Sequence, residues 1–335
     1  MTDKTSRILI KTFIKTALKD ADKTPARSSR NLIDMALRFS NGRFQHSFFE
    51  ASRKILNNNR SPYYPLIEDT LNHMDKDKIV DFGMNLGYNG CTLGARLSRD
   101  LKSTENINVP WLLSLRIDSA HPDLLSHYQT IIDQGRELGI YVYFIFSDQN
   151  PNFVFPLIKQ NKDCAMVLMC DSASINEKFA VAAESVNNLL IGVHYDNKTV
   201  DACQILRNHR LLYSLYHTYS EEDCSEILSG TYFHFAEKMH CPFAALLADS
   251  TCSNTSKEEI YQFAVASRTS QIYQTIPLDL IYDSKLIGDV ISPPSNVIGF
   301  NSDGTLYIPG QPQNTSQFNI FQQGLKEILK EGFSI

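Results

Sequence analysis

The chain lacks a surplus of positive charge and a long hydrophobic run, and each absence excludes a class of protein. Its 335 residues contain 32 Lys and Arg against 37 Asp and Glu, a formal net charge of -5 at pH 7. Nucleic-acid-binding proteins usually carry a basic patch that neutralises phosphates, so we expect no nucleic-acid partner. No run approaches the roughly 18 apolar residues of a membrane-spanning helix, so we expect no transmembrane segment.

Paired cysteines and a signal peptide are also missing. The seven cysteines never form the Cys-x-x-Cys pairs that hold structural zinc. Several lie inside apolar runs, as small buried side chains do in a reducing compartment. Lys11 and Lys15 interrupt the first apolar stretch, and no small-residue cleavage site follows it. We therefore expect a cytoplasmic protein.

Residues 1–76 show helical patterns alone. Over residues 6–19 the apolar side chains recur on one helical face, opposite a row of basic residues. We interpret this segment as a bundle helix with a solvated basic face, and contact with a membrane surface or a protein partner is the alternative. Further helices are predicted from Pro25 to about residue 40, over 43–57 and over 62–74.

From residue 77 to about 270, short apolar runs alternate with helical patterns. The predicted strands are 79–83, 111–117, 141–146, 165–170, 189–194, 211–216 and 243–248. Near-continuous apolar strands are typical of parallel strands covered by helices on both faces. Repeated strand–helix units without a Gly-x-Gly-x-x-Gly turn favour an α/β fold, a full or partial (β/α) barrel of the TIM type.

The pattern changes again over residues 271–335, which we treat as a carboxyl-terminal extension. Two short apolar runs flank Ser302-Asp303-Gly304 and predict a β-hairpin over 297–308. A closing helix is predicted over 318–331. The predicted organisation is thus a helical region (1–76), a barrel (77–270) and this extension.

Functional groups of such a barrel lie at the carboxyl ends of its strands. The ligand-binding candidates there are Arg116, Asp118, Asp148 and Tyr216, and the metal-binding candidates are His194, His217, Asp171 and Asp196. Histidines and carboxylates around one mouth favour a divalent metal that polarises a carbonyl or activates water. Helix capping is the more ordinary role of Asp148 and Asp171. For the histidines, the alternative is a hydrogen-bonded place at the mouth.

The stretch after the first predicted strand is rich in glycine and asparagine. Glycines let a backbone approach a ligand closely or adopt positive φ. The ligand-binding candidates in this stretch are Asn85, Gly87, Tyr88, Asn89, Gly90, Cys91 and Gly94. Gly94 is also predicted to open a helix whose free amides receive an anion. The alternative is a closely packed loop.

Three motifs carry a resemblance to a known family. Gly87-x-x-x-Cys91-x-x-Gly94 has the spacing of the CxxxCxxC loop that holds a [4Fe–4S] cluster, with glycine at both outer positions. The segment 111–125, which ends in His-Pro-Asp-Leu-Leu, resembles the family's GGEP region, with Arg-Ile-Asp-Ser at the GGEP place. The hairpin, followed by Gly310, resembles the start of a SPASM extension, where a cysteine is usual. The chain therefore resembles the radical S-adenosylmethionine (SAM) superfamily over residues 77–310.

The departures from the family pattern imply a degenerate member. A [4Fe–4S] cluster needs about four ligands, three of them thiolates in this family, and Cys91 alone cannot hold one. Without the cluster, nothing chelates the methionine part of SAM or supplies the electron. We therefore expect neither an iron–sulfur cofactor nor SAM chemistry, and a divalent metal is the remaining cofactor candidate.

Three hypotheses remain open from the sequence. The first is a cluster-less, radical-SAM-like barrel that binds a small molecule or a peptide as an accessory or regulatory protein. The second is a metal-dependent barrel enzyme: an isomerase, lyase or hydrolase. The third is an interaction module whose partner contacts the amino-terminal helices. No acid, base and nucleophile occur in a recognisable spacing that would decide whether the chain is an enzyme.

Overall fold

The computed structural model describes residues 3–20, 30–31, 33–34, 37, 43–147, 150–309 and 317–333. The chain divides into two compact units, and each unit is built from two stretches of sequence. The first unit contains residues 1–80 and 193–282. The second contains residues 81–192 and 283–335.

The described strands form one sheet with the order β7-β6-β5-β4-β3-β2-β1-β8-β9. These strands are β1 Leu112–Ile117, β2 Val142–Ser147, β3 Ala165–Cys170, β4 Leu189–His194, β5 Tyr213–Tyr219, β6 Phe243–Ala248, β7 Ile276–Asp279, β8 Ile298–Phe300 and β9 Leu306–Tyr307. Every residue of β3 is buried, as expected of a parallel strand covered on both faces. The predicted α/β class is therefore confirmed, together with six of the seven strands predicted before residue 270.

The seventh predicted strand, over residues 79–83, is wrong. These residues belong to the α-helix Lys76–Met84, whose first turn is capped by the Asp75 carboxylate. Lys78, Val80, Phe82 and Met84 are all buried, so the helix is enclosed on more than one side and its apolar residues alternate like those of a strand. The predicted loop after it is a π-helix, Asn85–Gly94, which continues into the α-helix Ala95–Glu105.

The second unit contains parallel strands separated by helices. Its other helices are Leu125–Leu138, Phe155–Gln160, Glu177–Glu184, Tyr282–Ile291 and Leu325–Gly332. The first of these ends at Gly139, whose φ of 97° places it in the left-handed region that favours glycine. The Asn176 side chain accepts from the Phe179 amide and so caps Glu177–Glu184.

The carboxyl-terminal hairpin is confirmed. β8 pairs with β1 in parallel and with β9 in antiparallel orientation. The turn between them contains Gly304 with a φ of 83°, and the Asp303 carboxylate accepts from the Thr305 amide. The closing helix is confirmed but begins at Leu325 rather than at 318, because Phe318 and Asn319 pair with the hairpin instead.

The first unit begins with the predicted amino-terminal helices. Its helices are Asp3–Asp20, Arg43–Leu56, Tyr63–His73, Thr199–Asn208, Cys224–Leu228, Thr231–Lys238 and Asn254–Thr269. The helix predicted from Pro25 lies mostly outside the described residues. Leu56 and Tyr64 belong to a buried cluster that also packs against Ile276 of β7. The amino-terminal helices therefore share a core with the end of the sheet.

Strand β7 was not predicted from the sequence. It has four residues, among them Pro277, and it lies at the edge of the sheet, where proline is tolerated. The Asp279 carboxylate accepts from the Ile281 and Tyr282 amides and starts the next helix. A strand this short, interrupted by proline, has no hydrophobic pattern that separates it from a loop.

Candidate functional site

Two buried asparagines attach the π-helix Asn85–Gly94 to the turn before β3. Asn85 Nδ2 donates to the carbonyl oxygens of Lys162 at 2.8 Å and Cys164 at 3.0 Å. Asn89 Nδ2 donates to the Asp163 carbonyl oxygen at 2.7 Å and to Asn85 Oδ1 at 3.1 Å. Both side chains thus bind backbone carbonyls of the turn, and the Cys164 carbonyl also accepts from Asn188 Nδ2, which favours a packing role for both residues.

Two glycines let the same π-helix approach its neighbours closely. A Cβ at Gly90 would lie 2.9 Å from Val142 Cγ2, and one at Gly94 would lie 2.1 Å from the Gly139 carbonyl oxygen. The Ala95 amide donates to the Gly90 and Thr92 carbonyls, so no free helix amino terminus exists there. The free amides on which the predicted anion site depends are therefore not found in this described segment, and a ligand-binding role of Gly94 stays a prediction. Gly87 and Tyr88 are half-buried in the same segment.

The positions of the cysteine thiols decide whether the chain fits the iron–sulfur cluster that the resemblance implies. Cys91 is buried in the π-helix, and burial raises the pKa of its thiol to about 12. Among the described residues, which include all seven cysteines, no three thiols lie close enough to share a metal. The donor set does not fit a [4Fe–4S] cluster held by three thiolates.

Arg116, near the carboxyl end of β1, is exposed and flanked by two aromatic rings. Its guanidinium carbon lies 5.4 Å from the ring centroid of Phe146 on β2 and 5.4 Å from that of Tyr307 on β9. Tyr307 Oη lies 2.6 Å from Ser114 Oγ, which fixes the ring. Within the described residues the guanidinium has no carboxylate partner. The arrangement therefore presents a cation between apolar faces.

The aspartates predicted nearby have local roles or lie outside the described residues. Asp118 Oδ1 accepts from the Ala120 amide at 2.8 Å, and Oδ2 lies 3.9 Å from His121 Nε2. Asp171 is exposed and precedes a short 3₁₀ turn, but its side chain makes no capping hydrogen bond. Asp148 lies outside the described residues. Helix capping therefore does not explain Asp171.

The first unit brings His194, Asp196, Tyr216 and His217 together. His194 Nδ1 lies 3.6 Å from Asp196 Oδ2, and its ring centroid is 5.0 Å from Tyr216 and 6.4 Å from His217. Burial is the largest cause that lowers the pKa of His217, so the neutral ring is favoured. The buried His217 Nδ1 has no hydrogen-bond partner among the described residues. The ligand atoms do not converge on one point, and a metal site here remains a prediction.

A different group of potential ligands does converge, and the sequence did not indicate it. Glu221, Cys224 and Cys252 offer ligand atoms that all lie within 4.8 Å of one another. Glu221 and Cys224 follow β5, whereas Cys252 follows β6. Only the pairing of two adjacent strands brings them together, so no local spacing reveals the group.

Comparison with known proteins identifies the fold. No protein-family model and no curated protein matches the chain. The structure of Streptococcus suis SuiB bound to S-adenosylmethionine matches with a TM-score of 0.52 at 9% identity, covering 71% of this chain and 68% of SuiB. The structure of SuiB bound to precursor peptide SuiA matches with a TM-score of 0.51 at 9% identity, covering 70% and 68%.

The chain therefore shares the fold of SuiB, which binds S-adenosylmethionine in that structure, and this fold is radical-SAM-like. The resemblance stated from the sequence is thereby confirmed at the level of the fold. Within the part of the chain that the structure describes, no helix is long and apolar enough to cross a membrane.

Proposed function

We propose that this chain is a cluster-less member of the radical-SAM-like fold that binds a small molecule or a peptide in an accessory or regulatory role. The observation that carries the proposal is the exposed guanidinium of Arg116, which lies between two aromatic rings without a carboxylate partner among the described residues. Functional groups of parallel βα folds gather at the carboxyl ends of strands, where Arg116 lies.

The cysteines support the cluster-less part of the proposal. Cys91 is the only thiol in the segment that resembles the cluster loop, and its neighbours in the pattern are Gly87 and Gly94. One thiol cannot supply the three thiolate ligands that a cluster of this family needs. Radical chemistry therefore has no electron source in this chain.

The ligand chemistry follows from the groups around Arg116. A planar guanidinium binds a carboxylate through two parallel hydrogen bonds. Phe146 and Tyr307 add apolar ring faces beside it. We therefore propose a ligand with a carboxylate next to an apolar group, such as the carboxyl end of a peptide. The peptide class is also supported by SuiB, a fold neighbour that is bound to a precursor peptide.

The cluster-less part is tested by anaerobic reconstitution of the full chain with iron and sulfide. We expect iron well below four atoms per chain and no brown chromophore. A Cys91→Ala variant serves as the control and is expected to take up the same background iron as the wild type. Four irons and four sulfides per chain, lost in the variant, would contradict the proposal.

The ligand class is tested with a library of short peptides that have free carboxyl termini, screened by thermal shift. Peptides that bind the wild type are expected to lose at least tenfold in affinity for Arg116→Gln and when their carboxyl terminus is amidated. Arg60→Gln, which alters an exposed arginine of the first unit, is the matched control. If the wild type bound the amidated peptide as tightly as the peptide with a free carboxyl terminus, the proposed binding of a carboxylate by Arg116 would be wrong.

Three further expectations belong to this proposal. They are a cytoplasmic location, a protein partner that contacts the amino-terminal helices, and a division of the chain into a helical region, a barrel and an extension with boundaries after residues 76 and 270. Ile8 and Phe48, which are 64% and 53% exposed, give these helices an apolar surface for a partner. Binding of such a partner is better tested with point variants at these two residues than by deletion of residues 1–75. The deletion would remove Leu56 and Tyr64, which belong to the core of the first unit.

A further inference from the structure

We propose that Glu221, Cys224 and Cys252 form a binding site for one zinc ion. Their ligand atoms lie within 4.8 Å of one another. Zn–S bonds of about 2.3 Å and Zn–O bonds of about 2.1 Å in a tetrahedron place such atoms roughly 3.5 to 3.8 Å apart. A contraction of about 1 Å therefore closes the site, and rotation of the exposed Glu221 and half-buried Cys224 side chains toward the buried Cys252 can supply it.

The topology of the sheet explains why the two cysteines meet. β5 and β6 are adjacent and parallel, with Tyr219 in register with Ala248. Cys224 begins the short helix after β5, and Cys252 lies in the connection from β6 to the helix Asn254–Thr269. The two thiols bond to consecutive carbonyls at the end of β5: Cys252 Sγ to Tyr219 O at 3.4 Å, and Cys224 Sγ to Ser220 O at 3.5 Å.

The carboxylate of Glu221 is already oriented by polar partners. Glu221 Oε2 accepts from the Ser253 amide at 2.8 Å, and Oε1 accepts from the Ser256 hydroxyl. The Ser256 hydroxyl, followed by the Ser253 amide, lowers the pKa of this carboxyl, so it is ionised at neutral pH. Such outer partners are typical of metal ligands, because they fix the orientation of the ligand oxygen. Each oxygen keeps a further lone pair for a cation.

The contacts with Ser253 and Ser256 at the start of a helix account for the position of the Glu221 carboxylate. They do not account for the two cysteine thiols that lie beside it. Burial raises the pKa of the Cys252 thiol to about 12, and the neighbouring Cys224 and Asp249 add to this effect. Burial and Glu221 also raise the pKa of the Cys224 thiol. Both thiols are therefore protonated in the metal-free chain, and zinc has to displace a proton from each of them.

The chemistry of the donors selects the metal. Thiolates favour zinc over magnesium or calcium, which prefer oxygen ligands alone. Binding releases one proton from each cysteine and leaves the ionised carboxylate as the third ligand. Three protein ligands leave the fourth tetrahedral position for water. The ion would thereby join the helix Cys224–Leu228 to the start of Asn254–Thr269.

The experiment uses the full chain, reduced and stripped of metal, and titrates it with Zn²⁺ and separately with Co²⁺. We expect one zinc per chain and a thiolate-to-cobalt charge-transfer band in the near ultraviolet. Cys224→Ser and Cys252→Ser are each expected to weaken zinc binding by at least about 100-fold, since changes in outer partners alone weaken it by about 10 to 100-fold. Glu221→Gln is also expected to weaken zinc binding. Its matched control is Glu222→Gln, which alters an exposed carboxylate next to the site.

Two results would overturn the proposal. The first is wild-type cobalt binding without a charge-transfer band, a readout that does not depend on any variant folding. The second is a Cys224–Cys252 disulfide in protein purified without reductant, combined with no zinc uptake by the reduced chain, which would identify a redox pair. A zinc-dependent rise in melting temperature in the wild type and Glu222→Gln, but not in Cys252→Ser, would support the site.

Discussion

The π-helix Asn85–Gly94 and the carboxyl end of β1 lie in the same unit but use their polar groups in opposite ways. In the π-helix, the amides of Asn85 and Asn89 bind backbone carbonyls of the chain itself. At the end of β1, the Arg116 guanidinium meets ring faces and no carboxylate among the described residues. Abundant glycine and asparagine therefore do not by themselves indicate a binding loop, and the proposed ligand site is placed at Arg116 instead.

The same distinction separates two arginines. Arg207 donates two hydrogen bonds to the Asp69 carboxylate, at 2.9 and 2.7 Å, and both side chains are 17% exposed. This pair joins the helices Tyr63–His73 and Thr199–Asn208 of the first unit. Arg207 thus stabilises the fold, whereas Arg116 has no such carboxylate partner among the described residues, and its role as a ligand-binding residue is our proposal.

The largest effect is expected for Gly94→Ala. The added Cβ would lie 2.1 Å from the Gly139 carbonyl oxygen, a backbone atom that cannot rotate away. We expect the free energy of unfolding to fall by about 3 kcal/mol, at the upper end of overpacking effects. Urea unfolding measures the change. Gly87→Ala is the control, because its Cβ meets nothing within 4 Å. An unchanged Gly94→Ala protein would show that the π-helix is not packed as described.

A smaller loss is expected for Asn85→Ala. Its amide donates to the Lys162 and Cys164 carbonyls, and each of these hydrogen bonds contributes about 0.5 to 1.5 kcal/mol, although the Cys164 carbonyl keeps Asn188 as a donor. We expect a loss of about 2 kcal/mol in urea unfolding. Asn72→Ala, at an exposed position of a helix, should change stability by less than about 0.5 kcal/mol. Equal effects at both positions would contradict the packing role of Asn85.

The Asp69–Arg207 pair should show a pH-dependent contribution. Burial opposes the ionised form of Asp69, but the hydrogen bonds and charge of Arg207 outweigh it, so the pKa of the carboxyl is lowered. Its contribution is complete above the unfolded pKa of about 3.9 and is lost as the pH falls through the lower folded pKa. We expect Asp69→Asn to lose about 1.5 kcal/mol at pH 7, with the deficit shrinking below about pH 4. Asp201→Asn on an exposed helix face is the control, and a deficit that grows in acid would refute this account.

The smallest stability effect is expected for Arg116→Gln. An exposed cation above an aromatic ring contributes about 0.5 to 1 kcal/mol, so urea unfolding should change by no more than this. Affinity for carboxylate peptides should nevertheless fall at least tenfold. If Arg116→Gln greatly lowered stability but left peptide affinity unchanged, Arg116 would be a packing residue like Asn85, and the contrast between the two regions would be wrong.

The strands were predictable where hydrophobic runs were long and bounded by helical patterns. β3, β4 and β6 match their predicted bounds because parallel strands covered by helices are mostly apolar along their length. The helix Lys76–Met84 was mistaken for a strand because residues 79–83 belong to a short apolar run in which Val80, Phe82 and Met84 alternate. Short apolar runs do not separate a strand from an enclosed helix, and only tertiary packing decides between them.

The candidate sites were predictable only in part. The position of Arg116 at a strand end followed from the alternation of strands and helices, but its aromatic neighbour Tyr307 comes from the hairpin, far away in sequence. Cys224 and Cys252 are separated by a whole helix–strand unit, and their proximity depends on the pairing of β5 with β6. Contacts of this kind leave no local spacing in the sequence.

The parallel pairing of β8 with β1 has a consequence for synthesis on the ribosome. Residues 113–115 acquire their partners 298–300 only after the intervening residues 116–297 have been made. Until then one edge of β1 offers unpaired backbone groups, a template for association with other chains. This part of the sheet therefore matures late, and a nascent chain stalled before residue 298 would be a natural client for chaperones.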